Sequence, residues 1–138
     1  MSNITTVILA AGKSSRFKGS ISKLLFPLCG LPIISHIYEV ARKISGKNII
    51  VVCNEDNITE LKPILKNCKF VIQKKQLGTA HALEQTKNKI NTENILVLFG
   101  DTPLIETSNL KKLIKKFNSS KSIASIIAFK TANPHGYG

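Results

Sequence analysis

Five runs of consecutive apolar residues, rich in isoleucine, valine and leucine, recur along the chain. Runs of this kind fill strands that are buried on both faces of a parallel sheet. They predict strands at Thr5–Leu9, Asn48–Cys53, Phe70–Ile72, Asn94–Phe99 and Ser122–Lys130.

The segments between these runs carry apolar residues at helical spacing. One helix is predicted from Pro32, at its first position, to Gly46, which ends it. A short or kinked helix is expected within 57–67, because Pro63 would remove a backbone donor there. Gly78-Thr79 marks the start of a third helix, and Thr107 or Ser108 is the predicted N-cap of a fourth. The alternation predicts one α/β domain over 1–138, a three-layer, doubly wound fold with a mostly parallel sheet.

The first strand ends abruptly in Ala10-Ala11-Gly12, followed by small hydroxyl residues, by Arg16 and by Lys23. Small residues let the backbone approach a ligand, while its amide groups and the cations attract negative charge. This loop is therefore a candidate phosphate site. The alternative is that Arg16 is an ordinary surface charge, since the spacing matches neither common glycine-rich phosphate motif.

Two further strand ends carry polar residues: Gln73 to Thr79 follows the third strand, and Asp101 follows the fourth. Ligands of open α/β sheets bind beyond the carboxyl ends of the strands, so these residues could meet the first loop at one site. Asp101 is a candidate Mg²⁺ ligand. Taken singly, Gln73 fits a surface loop, Gly78-Thr79 an ordinary helix start, and Asp101 a turn.

The composition favours some classes of partner and chemistry without identifying the function. The net charge of +12 favours polyanionic partners, but the lysines are dispersed and aromatic residues are few, so we expect no nucleic acid partner. Three cysteines without a metal-binding spacing predict reduced thiols and a cytoplasmic protein, and no run is long enough to cross a membrane. The histidines lack a companion for a catalytic triad, and His81 fits a structural role best.

Several motifs together resemble the sugar-nucleotide pyrophosphorylase family of nucleotidyltransferases, over the whole chain and in the same order. They are the segments 9–16, 22–25, 73–82, 99–104 and 136–138. The Gln-x-x-Gln-Leu-Gly-Thr-Ala-His-Ala and Gly-Asp-Thr-Pro-Leu motifs favour the N-acetylglucosamine-1-phosphate uridyltransferase branch over the molybdopterin cytidylyltransferases.

The resemblance implies a Rossmann-like fold and Mg²⁺-dependent transfer of a uridylyl group from UTP to a sugar 1-phosphate. Arg16 and Lys23 would neutralise the triphosphate, Gln73 would bind uracil, and Asp101 would hold Mg²⁺. The implied substrate-binding residues are Leu9, Ala10, Ala11, Gly12, Lys23, Gln73, Gly78, Thr79, Phe99, Gly100, Asp101 and Gly138.

The chain departs from the family pattern in three ways. Ser14 stands where glycine is usual, and Ser22 replaces the proline before the lysine. The sugar-binding lobe that follows Gly-Tyr-Gly in the family is expected to be largely missing from the 138 residues. Alternatives therefore stay open: a nucleotide-binding remnant, half of a two-chain enzyme or homo-oligomer, another NTP-sugar or molybdopterin nucleotidyltransferase, and, least favoured, a basic nucleic-acid-binding module.

Overall fold

A computed structural model describes residues 4–12 and 22–132 of the chain. Arg16, Ser14 and Gly138, each singled out above, lie outside the described residues. The chain divides into two compact units, residues 1–105 and 106–138, which are described separately below.

The first unit is built on a parallel sheet of four strands: β1 (Ile4–Leu9), β4 (Ile49–Cys53), β5 (Lys69–Ile72) and β6 (Asn94–Phe99). Their order is β5-β4-β1-β6, and Leu9 at the end of β1 pairs with Val52 on one side and Phe99 on the other. Each of these strands lies within one residue of its predicted bounds. The sheet order reverses at β1, because the chain adds β4 and β5 on one side of it and β6 on the other.

Helices cover both faces of this sheet. Ala82 of helix α3 (Thr79–Glu84) packs with Val7 and Val52 in the core. Ser45 of helix α1 (Ile33–Ser45) hydrogen-bonds the hydroxyl of Thr6. Since neighbouring side chains on a strand point to opposite faces, α1 and α3 lie on opposite sides of β1, and the predicted three-layer α/β arrangement is confirmed.

The segments between the long elements include features that the periodicity did not reveal. Two-residue strands β2 (Pro27–Leu28) and β3 (Leu31–Pro32) form an antiparallel hairpin where a turn alone was predicted. Helix α1 ends as predicted at Gly46, which adopts a φ of 60°. Helix α2 (Ile58–Ile64) is short and contains Pro63 in its last turn, and short 3-10 turns cover Lys23–Leu25 and Lys87–Lys89.

The second unit corrects two predictions. Its helix α4 (Thr107–Asn118) begins one or two residues earlier than expected, with Glu106 as the N-cap in place of Thr107 or Ser108. The predicted fifth strand at 122–130 is wrong, because no strand is formed there. A strand needs a neighbouring strand for its backbone hydrogen bonds, and the described part of this unit contains none. Its large apolar side chains Ile123, Ile126, Ile127 and Phe129 are exposed.

The three cysteines are free thiols, exposed at Cys29, buried at Cys53 and half-buried at Cys68. Burial raises the pKa of the Cys68 thiol to about 11, and the neighbouring Cys53 adds to the shift. Burial also raises the pKa of Cys53. No helix in the described ranges has the length and apolar character needed to cross a membrane.

Candidate active site

The carboxyl ends of the four parallel strands bring the predicted site segments to one edge of the sheet. Backbone hydrogen bonds continue the strand pairing past the strand ends, from Ala10 N–H to Val52 O (2.7 Å) and from Gln73 N–H to Cys53 O (2.8 Å). On the other side of β1, Gly100 N–H donates to Leu9 O at 2.9 Å. The loops after β1, β5 and β6 therefore leave the sheet at the same edge, as predicted, with β4 between β1 and β5.

The first loop is held by amide side chains from two neighbouring loops. Asn57 Nδ2 donates to Ala10 O at 2.8 Å. Ala11 O accepts from Gln76 Nε2 at 2.9 Å and from Asn54 Nδ2 at 3.2 Å. We call Asn54, Asn57 and Gln76 the amide clamp. The two alanines are buried while Gly12 is exposed, so the backbone path leads from the core to the surface at this point.

The two asparagines of the amide clamp also fix each other. Asn57 N–H donates to the Asn54 side-chain oxygen at 2.8 Å, and Asn54 N–H donates to the Asn57 side-chain oxygen at 3.0 Å. Asn57 is nearly fully buried. Sequence reasoning gave these residues no role. The available signal was an Asn-x-x-Asn spacing directly after a buried strand, which permits reciprocal backbone capping.

Gln73 lies at the end of β5, and the protein fixes the orientation of its side chain. Its amide nitrogen donates to Gly78 O at 3.2 Å and lies 2.9 Å from His81 Nδ1. A carbonyl oxygen only accepts, so the Gly78 contact identifies the amide nitrogen of Gln73. The Gln73 side chain is buried, and its oxygen is the acceptor that it can offer to a ligand. His81 contacts the Gln73 side chain through Nδ1 and the Gln85 side chain through Nε2.

Gly78 connects this glutamine to helix α3 through a backbone conformation that favours glycine. Its φ is 101°, in a region that side chains with a Cβ rarely adopt. Gly78 O accepts a hydrogen bond from Gln73 Nε2 and a second one, at 3.1 Å, from Ala82 N–H in the first turn of the helix. Thr79, the first helical residue, is exposed.

Lys23 and Asp101, 78 residues apart, form an ion pair at this edge of the sheet. The Lys23 Nζ atom lies 3.0 Å from Asp101 Oδ2, and both side chains are a little under half exposed. Lys23 opens a 3-10 turn preceded by Ser22, whose φ of −55° is one that proline also adopts. The serine therefore keeps the backbone geometry that a proline would impose before the lysine.

Gly100 sets how closely β1 and β6 approach at the site. A Cβ built on it would lie 3.0 Å from Ile34 Cδ1, 3.1 Å from Leu9 O and 3.3 Å from Leu24 Cδ2. Phe99 just before it is half exposed, and Leu9 is partly buried. Close packing against backbone as well as side chains thus favours glycine at this position, next to Asp101.

We expect Gly100→Ala to destabilise the protein by about 1–3 kcal/mol, the usual cost of adding a methyl group to a packed interior. The fixed Leu9 carbonyl cannot move aside as the end of a flexible side chain can. Urea unfolding measures the change, with Gly12→Ala as the matched control, since a Cβ on Gly12 meets nothing within 4 Å. Equal stability of both variants would contradict the packing role.

The residues present fit a magnesium ion bound together with a nucleotide. Mg²⁺ in nucleotide sites keeps several waters and uses one or two protein carboxylates plus substrate phosphates. Asp101 supplies one carboxylate at the strand end, next to a cation suited to phosphate. Within 4–12 and 22–132 no group of three histidine, cysteine or acidic side chains could hold a metal by itself.

The chain matches the MobA-like NTP transferase domain over residues 6–137. It therefore belongs to this family of nucleotidyltransferases. Two relatives are both called "Bifunctional protein GlmU". The one from Clostridioides difficile is 35% identical over 99% of this chain. The one from Buchnera aphidicola subsp. Acyrthosiphon pisum is 43% identical over 98% of this chain. The chain spans 30% and 29% of their lengths.

Solved structures show the same fold. A CMP:2-keto-3-deoxy-manno-octonic acid synthetase complexed with CTP superposes with a TM-score of 0.71 at 24% identity, over 85% of this chain and 48% of that one. The Rv0371c protein of Mycobacterium tuberculosis, in complex with manganese, gives a TM-score of 0.67 at 21% identity, over 83% and 59%. The predicted Rossmann-like nucleotidyltransferase fold is confirmed.

Proposed function

We propose that this chain forms the nucleotide-binding part of an enzyme that transfers a uridylyl group from UTP to N-acetylglucosamine 1-phosphate. The products would be UDP-N-acetylglucosamine, a precursor of the cell wall, and pyrophosphate. The observation that carries the proposal is the Lys23–Asp101 ion pair, which places a cation and a carboxylate together at the strand ends next to the Ala10–Gly12 loop. The similarity to GlmU proteins directs the choice of sugar.

The proposed chemistry needs no general base. A sugar phosphate is already an anion near neutral pH, so one of its oxygens attacks the α-phosphorus of UTP while the bond to pyrophosphate breaks. The protein must position the two phosphates and neutralise their charge. Lys23 and Arg16 would supply positive charge, and Mg²⁺ bound by Asp101 would screen the phosphate oxygens when present.

The fixed orientation of Gln73 supports uracil over cytosine. Its amide nitrogen donates to Gly78 O and lies beside His81, so its oxygen is the atom that would face the base. Uracil carries a hydrogen on N3 and can donate to this oxygen, whereas N3 of cytosine is an acceptor and would repel it. Gly78 and Thr79 would complete the base site, and Leu9 to Gly12 would contact the nucleotide through the backbone.

The length of the relatives favours a second candidate function. The chain spans about 30% of the GlmU proteins, so the described site is proposed to bind UTP while residues of another segment or partner chain complete the sugar side. Gly138, which the resemblance places at the start of that side, remains a prediction. This candidate predicts nucleotide binding without pyrophosphate release by the chain alone.

Pyrophosphate release and nucleotide binding together test the proposal. The purified chain is given Mg²⁺, N-acetylglucosamine 1-phosphate and either UTP or CTP, and calorimetry measures the affinity for each nucleotide. We expect UTP to bind more tightly than CTP, by about tenfold or more, since one matched hydrogen bond replaces a repulsive contact. UTP binding without release would favour the second candidate. Absence of binding by folded protein would overturn both.

A further inference from the structure

The geometry points to a positioning role for the amide clamp: we propose that Asn54, Asn57 and Gln76 aim the backbone amides of Ala11 and Gly12 at a bound nucleoside triphosphate. The inference rests on the proposed function and adds three residues to it. None of them is placed in contact with the nucleotide. They would act through the backbone of the first loop.

The planar trans peptide transmits the effect of the clamp. In each peptide unit the carbonyl and the following N–H point in opposite directions. Ala10 O belongs to the same unit as the Ala11 amide, and Ala11 O to the same unit as the Gly12 amide. Fixing both carbonyls toward the clamp therefore turns the two N–H groups the other way.

The clamp acts on this loop from two segments that follow strands on the same side of β1. Asn54 and Asn57 come from the loop after β4, and Gln76 comes from the loop after β5, the segment that also carries Gln73. Ala11 O accepts from one residue of each loop. The same hydrogen bonds thereby set the distance between the first loop and the proposed base site, which gives the clamp a specific task beyond filling space.

Burial of Ala10 and Ala11 restrains the first of these peptide units, whereas the second, between Ala11 and Gly12, depends more on the clamp. Gly12 has no Cβ and lies at the surface, and a Cβ built on it would meet nothing within 4 Å. A loop free to rotate must be ordered again when the nucleotide binds, and that ordering lowers affinity. Fixed amides lose no such freedom, so the clamp would increase nucleotide affinity.

The test compares Gln76→Leu, Asn54→Ala and the double variant with the wild type. Each single variant leaves Ala11 O with one donor, so we expect a loss of UTP affinity of about threefold, below that of one complete hydrogen bond. The double variant leaves none and should lose on the order of thirtyfold, more than the product of the singles, because both donors hold one atom. Asn88→Ala, an exposed asparagine of the 3-10 turn 87–89, is the matched control and should bind normally.

Nuclear magnetic resonance distinguishes the positioning of the loop amides from a general effect on folding stability. In the absence of nucleotide, the carbonyl ¹³C resonance of Ala11 should move in each variant, which checks the hydrogen bonds directly. On addition of UTP with Mg²⁺, the ¹⁵N–¹H resonances of Ala11 and Gly12 should shift in the wild type and much less in the double variant. Urea unfolding of Gln76→Leu, an exposed position, should change little.

The outcomes distinguish the clamp from the function on which it rests. If the wild type binds UTP and the folded double variant binds it equally well, the positioning role is wrong. If the carbonyl resonance does not respond, the hydrogen bonds are absent and the inference also falls. If the wild type binds no nucleotide while the Ala11 carbonyl responds as expected, the proposed function fails and takes the positioning role with it, leaving a purely structural clamp.

Discussion

Asp101→Asn is expected to remove metal-dependent nucleotidyl transfer almost completely, with a fall in kcat/KM of at least about a hundredfold. Asparagine keeps the shape of the side chain but loses the negative charge that would hold Mg²⁺ beside the triphosphate. It also releases Lys23 from its ion pair. Pyrophosphate release at several Mg²⁺ concentrations measures the loss, and excess metal should recover only part of the rate.

Glu93→Gln is the matched control for this variant. Glu93 is exposed and directly precedes β6. The substitution therefore removes a carboxylate charge at the opposite end of the strand from Asp101. Its kinetics should match the wild type. A fully active Asp101→Asn enzyme would exclude Asp101 as the metal ligand. If the chain alone releases no pyrophosphate, Mg²⁺-dependent UTP binding takes the place of the rate in both comparisons.

Lys23→Ala is expected to raise the barrier of the transfer step by about 2–4 kcal/mol, the loss found when one preorganised charge-stabilising group is removed. Half-exposed ion pairs contribute only about 0–1 kcal/mol to folding, so the stability of the protein should hardly change. The contrast between a large kinetic effect and a small change in unfolding free energy identifies a functional lysine. Steady-state kinetics and urea unfolding on the same preparation measure both.

The control here is Lys47→Ala, an exposed lysine in the turn that leads into β4 at the amino end of the sheet. It makes the same change in net charge away from the site, and therefore accounts for general attraction of the nucleotide by the basic protein. If both variants lost the same affinity for the nucleotide, Lys23 would contribute only to the overall positive electrostatic field of the protein. A selective loss in Lys23→Ala supports direct action on phosphate.

The sequence predicted the central sheet well, because strands that are buried on both faces leave continuous apolar runs. β4, for example, is buried at all five residues from Ile49 to Cys53. The segment 122–130 shows the limit of that signal. It also contains several isoleucines, but a strand is defined by its neighbour, and composition carries no information about the pairing partner.

The candidate site was predicted in part for a similar reason. Strand ends are visible in the sequence, and the parallel topology brings Gln73 and Asp101 to the edge that carries the first loop. The Lys23–Asp101 pair and the amide clamp could not be predicted from the sequence in this way. They depend on side-chain contacts between residues 43 to 78 positions apart, and local spacing indicates only the mutual capping of Asn54 and Asn57.

The exposed apolar segment at 122–130 has a consequence for how the protein behaves in concentrated solution. A segment with several large apolar side chains exposed to solvent can stack with the same segment of another molecule. The formal charge of +12 opposes such contacts by mutual repulsion between molecules. Because salt screens that repulsion over about 10 Å at 0.1 M, the colloidal stability of the protein should depend on ionic strength, with self-association increasing as salt is added.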